Sequence, residues 1–227
     1  MTTEPSSVTE DEAKQEAAKL AATAPAKIES GINVATRPSM PEEVIAHFQS
    51  RLETATTYLE YGSGGSTRMA VRLNVPRVYS VESSAVFGKE VRRRVSWDRK
   101  ETVFKMIVPP FGETGAWGYP RPESYKSWGA YVNRVWDVAE AEGASPDLVL
   151  IDGRFRVACF LMTWLRAKPG TIVLFDDFTD RIDRYGVALQ FGKPIKEIAR
   201  MAEFVVPETM DMKAIAIQLA LAVTDPR

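Results

Sequence analysis

Polar residues gather at three places in this chain of 227 residues, each just after a short run of apolar and β-branched side chains. The first is Leu59-Glu60-Tyr61-Gly62-Ser63-Gly64-Gly65-Ser66-Thr67. Glycines there supply positive φ and let backbone approach a bound molecule with no Cβ in the way. The second is Glu82, which ends the next apolar run 20 residues after Gly62. An acid at that distance from a glycine turn is placed to accept hydrogen bonds from both hydroxyls of a ribose. The third is a set of aspartates: Asp152 follows one apolar run, and Asp176 and Asp177 follow the next. Carboxylates brought close together repel and raise each other's pKa, and a hard divalent cation such as Mg²⁺ relieves this with oxygen ligands. Such an ion would chelate two vicinal oxygens of an acceptor and lower the pKa of a hydroxyl. Two plainer readings stand beside it: Asp177 caps the next segment, and Asp152 only touches a cofactor.

Glu60 separates the nucleotides that a glycine loop of this kind can hold. In a dinucleotide site the loop faces a pyrophosphate, which a neighbouring carboxylate repels. The third glycine of a dinucleotide fingerprint would also fall at Thr67, where it is missing. S-adenosylmethionine carries no phosphate and presents an ammonium and a sulfonium, so a carboxylate at the loop's start favours it. A tight turn with no ligand is the remaining alternative.

The elements that must position these residues alternate. Short extended runs are expected at 56–61, 77–81, 103–108, 148–151 and 171–175, separated by helices at 67–73, 84–97, 124–142 and 156–165. Ser39 and Glu42 have capping-box spacing ahead of a helix that carries Val44, Phe48 and Leu52 on one face. Strands alternating with helices imply right-handed βαβ units, hence an α/β, doubly wound, mostly parallel sheet covered on both faces. Ligands of such sheets bind at the carboxyl ends of the strands, where the polar residues lie. Residues 204–206 and 214–222 read as two extended runs joined by a short polar segment, a C-terminal antiparallel hairpin.

Glu60-Tyr-Gly62-Ser-Gly64-Gly65-Ser, Val81-Glu82-Ser83 and Leu150-Ile-Asp152-Gly resemble the first, second and fourth strand-end motifs of class I S-adenosylmethionine-dependent methyltransferases. The resemblance covers about residues 40–225 and implies a seven-stranded, Rossmann-like methyltransferase fold. It implies a cofactor site formed by Glu60, Gly62, Ser63, Gly64, Gly65, Ser66, Glu82 and Ser83. Gly62 and Gly64 would lie against the methionine part, Glu82 on the ribose and Ser83 beside the adenine. Ile-Asp152-Gly with Gly170-Thr-Ile-Val-Leu-Phe-Asp176-Asp177-Phe is similar to metal-dependent O-methyltransferases, which implies Mg²⁺ on Asp152, Asp176 and Asp177. The sequence departs from the catechol enzymes in having Asp177 where they usually carry Asn, and Arg154 and Arg156 where a lysine base is expected; arginine is a poor base. Tyr58-Leu-Glu-Tyr-Gly-Ser-Gly-Gly-Ser-Thr67 also resembles the glucuronic-acid O-methyltransferases and related bacterial proteins of unassigned substrate.

The remaining features set bounds. A net charge of −1 gives no global drive toward nucleic acid, and the basic cluster Arg92–Arg94 with Arg99 and Lys100 reads as a solvated helix face. No apolar stretch approaches the ~20 residues that span a bilayer, and the acidic N-terminus does not read as a signal peptide, so a cytoplasmic location is expected. The single cysteine, Cys159, sits in an apolar run and reads as packing, and the single histidine, His47, as a helix-surface residue. Residues 1–37 carry almost no large apolar side chains and read as a tail, with a helix over 9–22, ahead of a domain at 38–227. Residues 112–127 form a proline-rich loop whose Trp117, Tyr119 and Arg121, with Arg154, suit a sugar-like or anionic acceptor; an ordinary surface loop is the alternative. The expected activity is O-methylation of a small molecule or saccharide, with Asp152 or a metal removing the proton. A catalytically silent binding module and an NAD-type oxidoreductase are the alternatives.

Overall fold

The computed structural model describes residues 32–227. The elements are α1 (Glu42–Leu52), β1 (Thr57–Tyr61), α2 (Gly65–Arg72), β2 (Arg77–Val81), α3 (Ala85–Asp98), β3 (Val103–Ile107) and α4 (Trp128–Ala141). They continue with β4 (Leu148–Ile151), α5 (Arg156–Arg166), β5 (Ile172–Phe175), α6 (Ile182–Tyr185), β6 (Lys196–Ile198), β7 (Met201–Val205) and α7 (Met212–Ala222). The strands form one sheet in the order β3-β2-β1-β4-β5-β7-β6, with β1 to β5 parallel and β7 antiparallel to both β5 and β6.

Side chains alternate across the sheet with the period of two that strands impose. Leu59, Tyr61, Val81, Val149, Ile151 and Phe175 join the core under α4, α5 and α7. Tyr58, Val78, Leu148, Leu150 and Leu174 join the core under α1, α2 and α3. Because the central strands are buried on both faces, they read as near-continuous apolar runs. The register puts Tyr61 beside both Val81 and Ile151, and Ile151 beside Phe175. The next residue of each strand therefore leaves the same sheet edge in a row: Gly62, Glu82, Asp152 and Asp176. The chain runs outward from β1 to β3 and returns at β4, so this row straddles the point where strand order reverses.

The end of the chain differs from the expected hairpin. An antiparallel edge is present, but Phe204 pairs with β5, and β7 forms its hairpin with Lys196–Ile198. Residues 214–222 are helical. The alternation Ala214-Ile-Ala-Ile-Gln-Leu-Ala-Leu mimics a strand, yet Asp211 caps the helix by accepting from Ala214 N at 2.9 Å. Only Ile215 and Ala222 are fully buried, with Leu219 packed beside them, which is helical spacing against α5.

Three smaller corrections apply. Pro41, not Ser39, precedes the first turn of α1, and no side chain caps it. Pro122–Ser127 is a 3₁₀ turn ahead of α4. Residues 32–37, expected in the tail, reach the domain: Val34 is buried and its carbonyl accepts from Arg68 Nη1 at 2.7 Å. The helix expected over 9–22 lies outside the described residues. No helix among those described is long and apolar enough to cross a membrane.

Candidate active site

The glycine loop is organised from below. Glu60 belongs to the face of β1 that α1 to α3 cover and is fully buried. Tyr58 Oη donates to it at 2.9 Å and Ser66 Oγ at 2.7 Å, and Thr67 Oγ1 donates to its other oxygen. Thr67 Oγ1 in turn accepts from Gly64 N at 2.8 Å. Burial raises the pKa of Glu60, and the hydroxyl donors oppose the rise. Glu60 thus lies beneath the loop, where its oxygens accept from three hydroxyls and it positions the loop. Thr67, read in the sequence only as a missing glycine, is the link between that carboxylate and the loop backbone. Ser66 lies with Glu60 beneath the loop, and Gly65 packs against the Arg37 carbonyl.

Above this foundation, Gly62, Ser63, Gly64, Glu82 and Ser83 come together. Gly62 has φ 92°, and a Cβ there would lie 2.8 Å from the backbone of Gly153, so the β1 and β4 loops touch through glycine. Glu82 accepts from Ser63 N at 3.2 Å and from Ser84 N at 2.8 Å, tying the acid to the loop. Burial raises its pKa against those two backbone donors. The segment that includes Trp117 lies over the same acid: a Cβ on Gly118 would fall 2.3 Å from Ser83 Oγ and 3.2 Å from Glu82 Oε1. Trp117 holds a left-handed φ of 55° and is 91 % exposed, whereas Tyr119 turns inward and is buried. Arg121 lines a separate hollow of about 390 Å³ with Phe111, Glu113 and Lys126, which neither Tyr119 nor Arg154 lines.

Asp152, Asp176 and Asp177 converge, each offering an oxygen within 4.8 Å of the others. Arg156 threads between them. Its Nη2 donates to Asp152 Oδ1 at 3.1 Å and its Nη1 lies 3.1 Å from Asp177 Oδ2, while the carbonyls of Asp176 and Gly153 accept from Nη1 and Nε. Arg200 holds Asp176 with two bonds, at 3.1 and 2.8 Å, and reaches Asp177 at 3.1 Å. Arg181 lies 3.2 Å from Asp177. Phe155 and Asp177, which flank Arg156, both have left-handed φ, of 54° and 57°. Strain of that kind concentrates at functional sites. Asp176 is fully buried, but the Asp152 side chain is 31 % exposed. Burial, opposed by Arg156 and aided by Asp176 and Asp177, pushes Asp152 up to about 7.

A methyltransferase-like protein from Silicibacter pomeroyi DSS-3 is 33 % identical to this chain with a TM-score of 0.75; the alignment covers 85 % of this chain and 100 % of that one. The chain belongs to the class I S-adenosylmethionine-dependent methyltransferase superfamily. An O-methyltransferase from Bacillus cereus, solved with S-adenosylhomocysteine, shares the fold at 16 % identity and a TM-score of 0.52, over 88 % of this chain and 92 % of that one. No protein-family model matches the sequence, and no curated protein matches it. Repulsion by Glu60 does not decide against a dinucleotide, since that carboxylate is beneath the loop; the methyltransferase sheet order and the close relative do.

Within the methyltransferase fold, the aspartate cluster does not fit a divalent cation. Three carboxylates face three guanidiniums, so the group is already neutral, and Arg156 fills the space between Asp152 and Asp177. Mg²⁺ demands oxygen ligands at about 2.0–2.1 Å in near-octahedral array. Reaching it would require expelling a buried guanidinium from four hydrogen bonds and its ion pair with Asp177. The sequence reading missed Arg200 and Arg181 as members of this cluster, and saw Arg156 only as an unsuitable base. A signal for Arg200 was absent because its hairpin, β6–β7, was assigned elsewhere. His47 pairs with buried Glu203 of β7 alongside Arg51, and burial pushes the Cys159 thiol up, so neither joins the site.

Proposed function

We propose that this methyltransferase fold binds S-adenosylmethionine at the β1 and β2 strand ends and methylates an oxygen of a small molecule or saccharide. The observation that supports it most is the bond from Ser63 N to Glu82: one contact joins the glycine loop to the acid a ribose requires. The loop leaves room for backbone approach at Gly64, where the nearest atom to an added Cβ is the Phe87 ring at 3.9 Å. Glu82 accepts the ribose hydroxyls, Ser83 borders the adenine, and the backbone of Gly62 and Gly64 lines the methionine part.

S-adenosylmethionine, when bound, supplies a methyl group whose bonding electrons remain with sulfur as it passes to the acceptor oxygen. This chain's own contribution is orientation and a proton acceptor, which suffices for an in-line displacement. Asp152 is the member of its cluster that reaches solvent, and Arg156 fixes one of its oxygens, leaving the other for the acceptor hydroxyl. A carboxylate raised toward neutrality is a stronger base than a free one and still ionises at the working pH. The loop bearing Tyr119 covers the acceptor side and excludes water.

Calorimetric titration of S-adenosylmethionine and S-adenosylhomocysteine tests the cofactor reading. Saturable binding that Glu82→Ala abolishes is expected; no heat with either compound overturns it. Conversion of donor to S-adenosylhomocysteine, at least about a hundredfold slower in Asp152→Asn, tests the base.

A further inference from the structure

Two arginines leave the β4 loop two residues apart, and their surroundings are opposite. Arg156 has every face of its guanidinium engaged, by Asp152, Asp177 and the carbonyls of Gly153 and Asp176. Arg154 is half-buried, yet among the described residues no carboxylate lies in ion-pair contact with it. Its guanidinium carbon lies 5.9 Å from the centre of the Tyr119 ring. Its backbone is fixed at both ends, since Arg154 N donates to Tyr131 Oη at 3.1 Å and its carbonyl accepts from Cys159 Sγ. The residue is therefore anchored by its backbone beside Tyr119, with no guanidinium hydrogen bond to a side chain or carbonyl among the described residues.

Tyr119 lies near Arg154, Arg184 and Arg227 and near Asp225, which Arg227 chelates at 2.9 Å through both oxygens. Burial and the charge of Arg156 hold Arg154 below the usual arginine range. Asp152 opposes that shift without pairing directly with Arg154, whereas Arg156 is paired with both Asp152 and Asp177; a desolvated cation with no direct ion pair carries a cost. A bound oxyanion would remove it, and the planar guanidinium fork matches carboxylate and phosphate in pairs of hydrogen bonds.

We propose, on the methyltransfer reading above, that the acceptor is an alcohol bearing an oxyanion, whose carboxylate or phosphate Arg154 binds beside Tyr119 while its hydroxyl faces Asp152. Arg154 is thus the residue that selects a charged acceptor over its neutral counterpart.

Calorimetric titration of the full chain with inorganic phosphate, benzoate and neutral benzamide, at constant ionic strength, tests this without any acceptor in hand. Binding of phosphate or benzoate but not benzamide is expected, at least about tenfold weaker in Arg154→Gln, partly restored in Arg154→Lys, and unchanged in Arg134→Gln on the exposed face of α4. A response to phosphate alone supports a phosphorylated alcohol, and one to benzoate alone a hydroxy acid. Equal binding in the parent and Arg154→Gln, binding of benzamide as tight as benzoate, or no anion binding at all overturns the proposal. A parallel titration with S-adenosylhomocysteine reads the cofactor site separately. Its failure in the parent chain removes the methyltransfer reading, whereas the anion result depends on Arg154.

Discussion

The two halves of the site are built from different forces. At the ends of β1 and β2, one buried carboxylate gathers neutral hydroxyls: Tyr58, Ser66 and Thr67 around Glu60, with Thr67 passing the constraint to Gly64 N. At the ends of β4 and β5, three carboxylates are closed by Arg156, Arg181 and Arg200. The first arrangement is local, because its donors lie within seven residues of Glu60. The second is long-range, since Arg200 comes from the far hairpin and also holds the Ser39 carbonyl at 2.9 Å. The hydroxyl donors offset the desolvation of a single carboxylate and fix the loop. Buried ion pairs cost several times more to assemble and far more to break. The glycine-loop half is therefore rigid by short-range bonding, and the aspartate half is held by charge balance.

Substitutions that remove one partner from each half sharpen that contrast. Arg156→Ala strips Asp152 of its ion pair and leaves Asp177 to Arg181 and Arg200 alone, and should cost about 3–5 kcal/mol in urea unfolding. Glu60→Ala strands three hydroxyls in a closed space and should cost less, about 2 kcal/mol, with weakened binding of S-adenosylhomocysteine as the loop loosens. Glu60→Gln keeps an acceptor oxygen for the hydroxyls and should fall between Glu60→Ala and the parent. If Glu60→Ala proves the more damaging of the pair, the hydroxyl network and not the charge network is the keystone of the site.

A pH series separates the halves by a different property. Asp152 is raised from its ordinary 3.8 to about 7. Below the ordinary value both folded and unfolded chains carry this proton. Between about 4 and 7 the unfolded chain gives it up first, so the Asp152 contribution to stability is lost as pH rises through that window. Asp152→Asn should flatten this slope in melting temperature against pH. Activity should move the opposite way, rising with pH to a plateau above about 7, because the base works only when ionised.

Legibility in the sequence follows the same division. Gly62, Gly64, Glu82 and the strands that carry them were readable because a glycine turn, its preceding apolar run and the following acid are encoded in consecutive residues. The convergence of Asp152 with Asp176 and Asp177 was also readable, since parallel neighbours deliver strand-end residues to one edge. What surrounds the aspartates was not. Their partner Arg200 depends on a hairpin whose first strand, Lys196-Glu-Ile, is too short and charged to announce itself. The alternating alanines and larger apolar residues of 214–222 also drew the hairpin to the wrong place. The burial of Glu60 escaped for a related reason: strand periodicity gives its face only once Tyr58 and Tyr61 are assigned to opposite cores.

The smallest expected effect discriminates most between the two ways of using three carboxylates. Where a metal is the counter-ion, millimolar Mg²⁺ raises the melting temperature and a chelator abolishes turnover, by mass action on the folded state. Here the positive charge is covalently part of the chain, on Arg156, Arg181 and Arg200, and its concentration cannot be changed. Neither Mg²⁺ nor EDTA should move the melting temperature beyond error, and EDTA should leave methyl transfer unchanged. Arg156→Ala should alter that, because it vacates the space between Asp152 and Asp177 and leaves the cluster with an excess negative charge. Partial recovery of the variant's stability by Mg²⁺, with none in the parent, would show the guanidinium and the ion to be alternative solutions of one electrostatic problem. Stabilisation of the parent by Mg²⁺ would instead mean that the arginines give way to the ion.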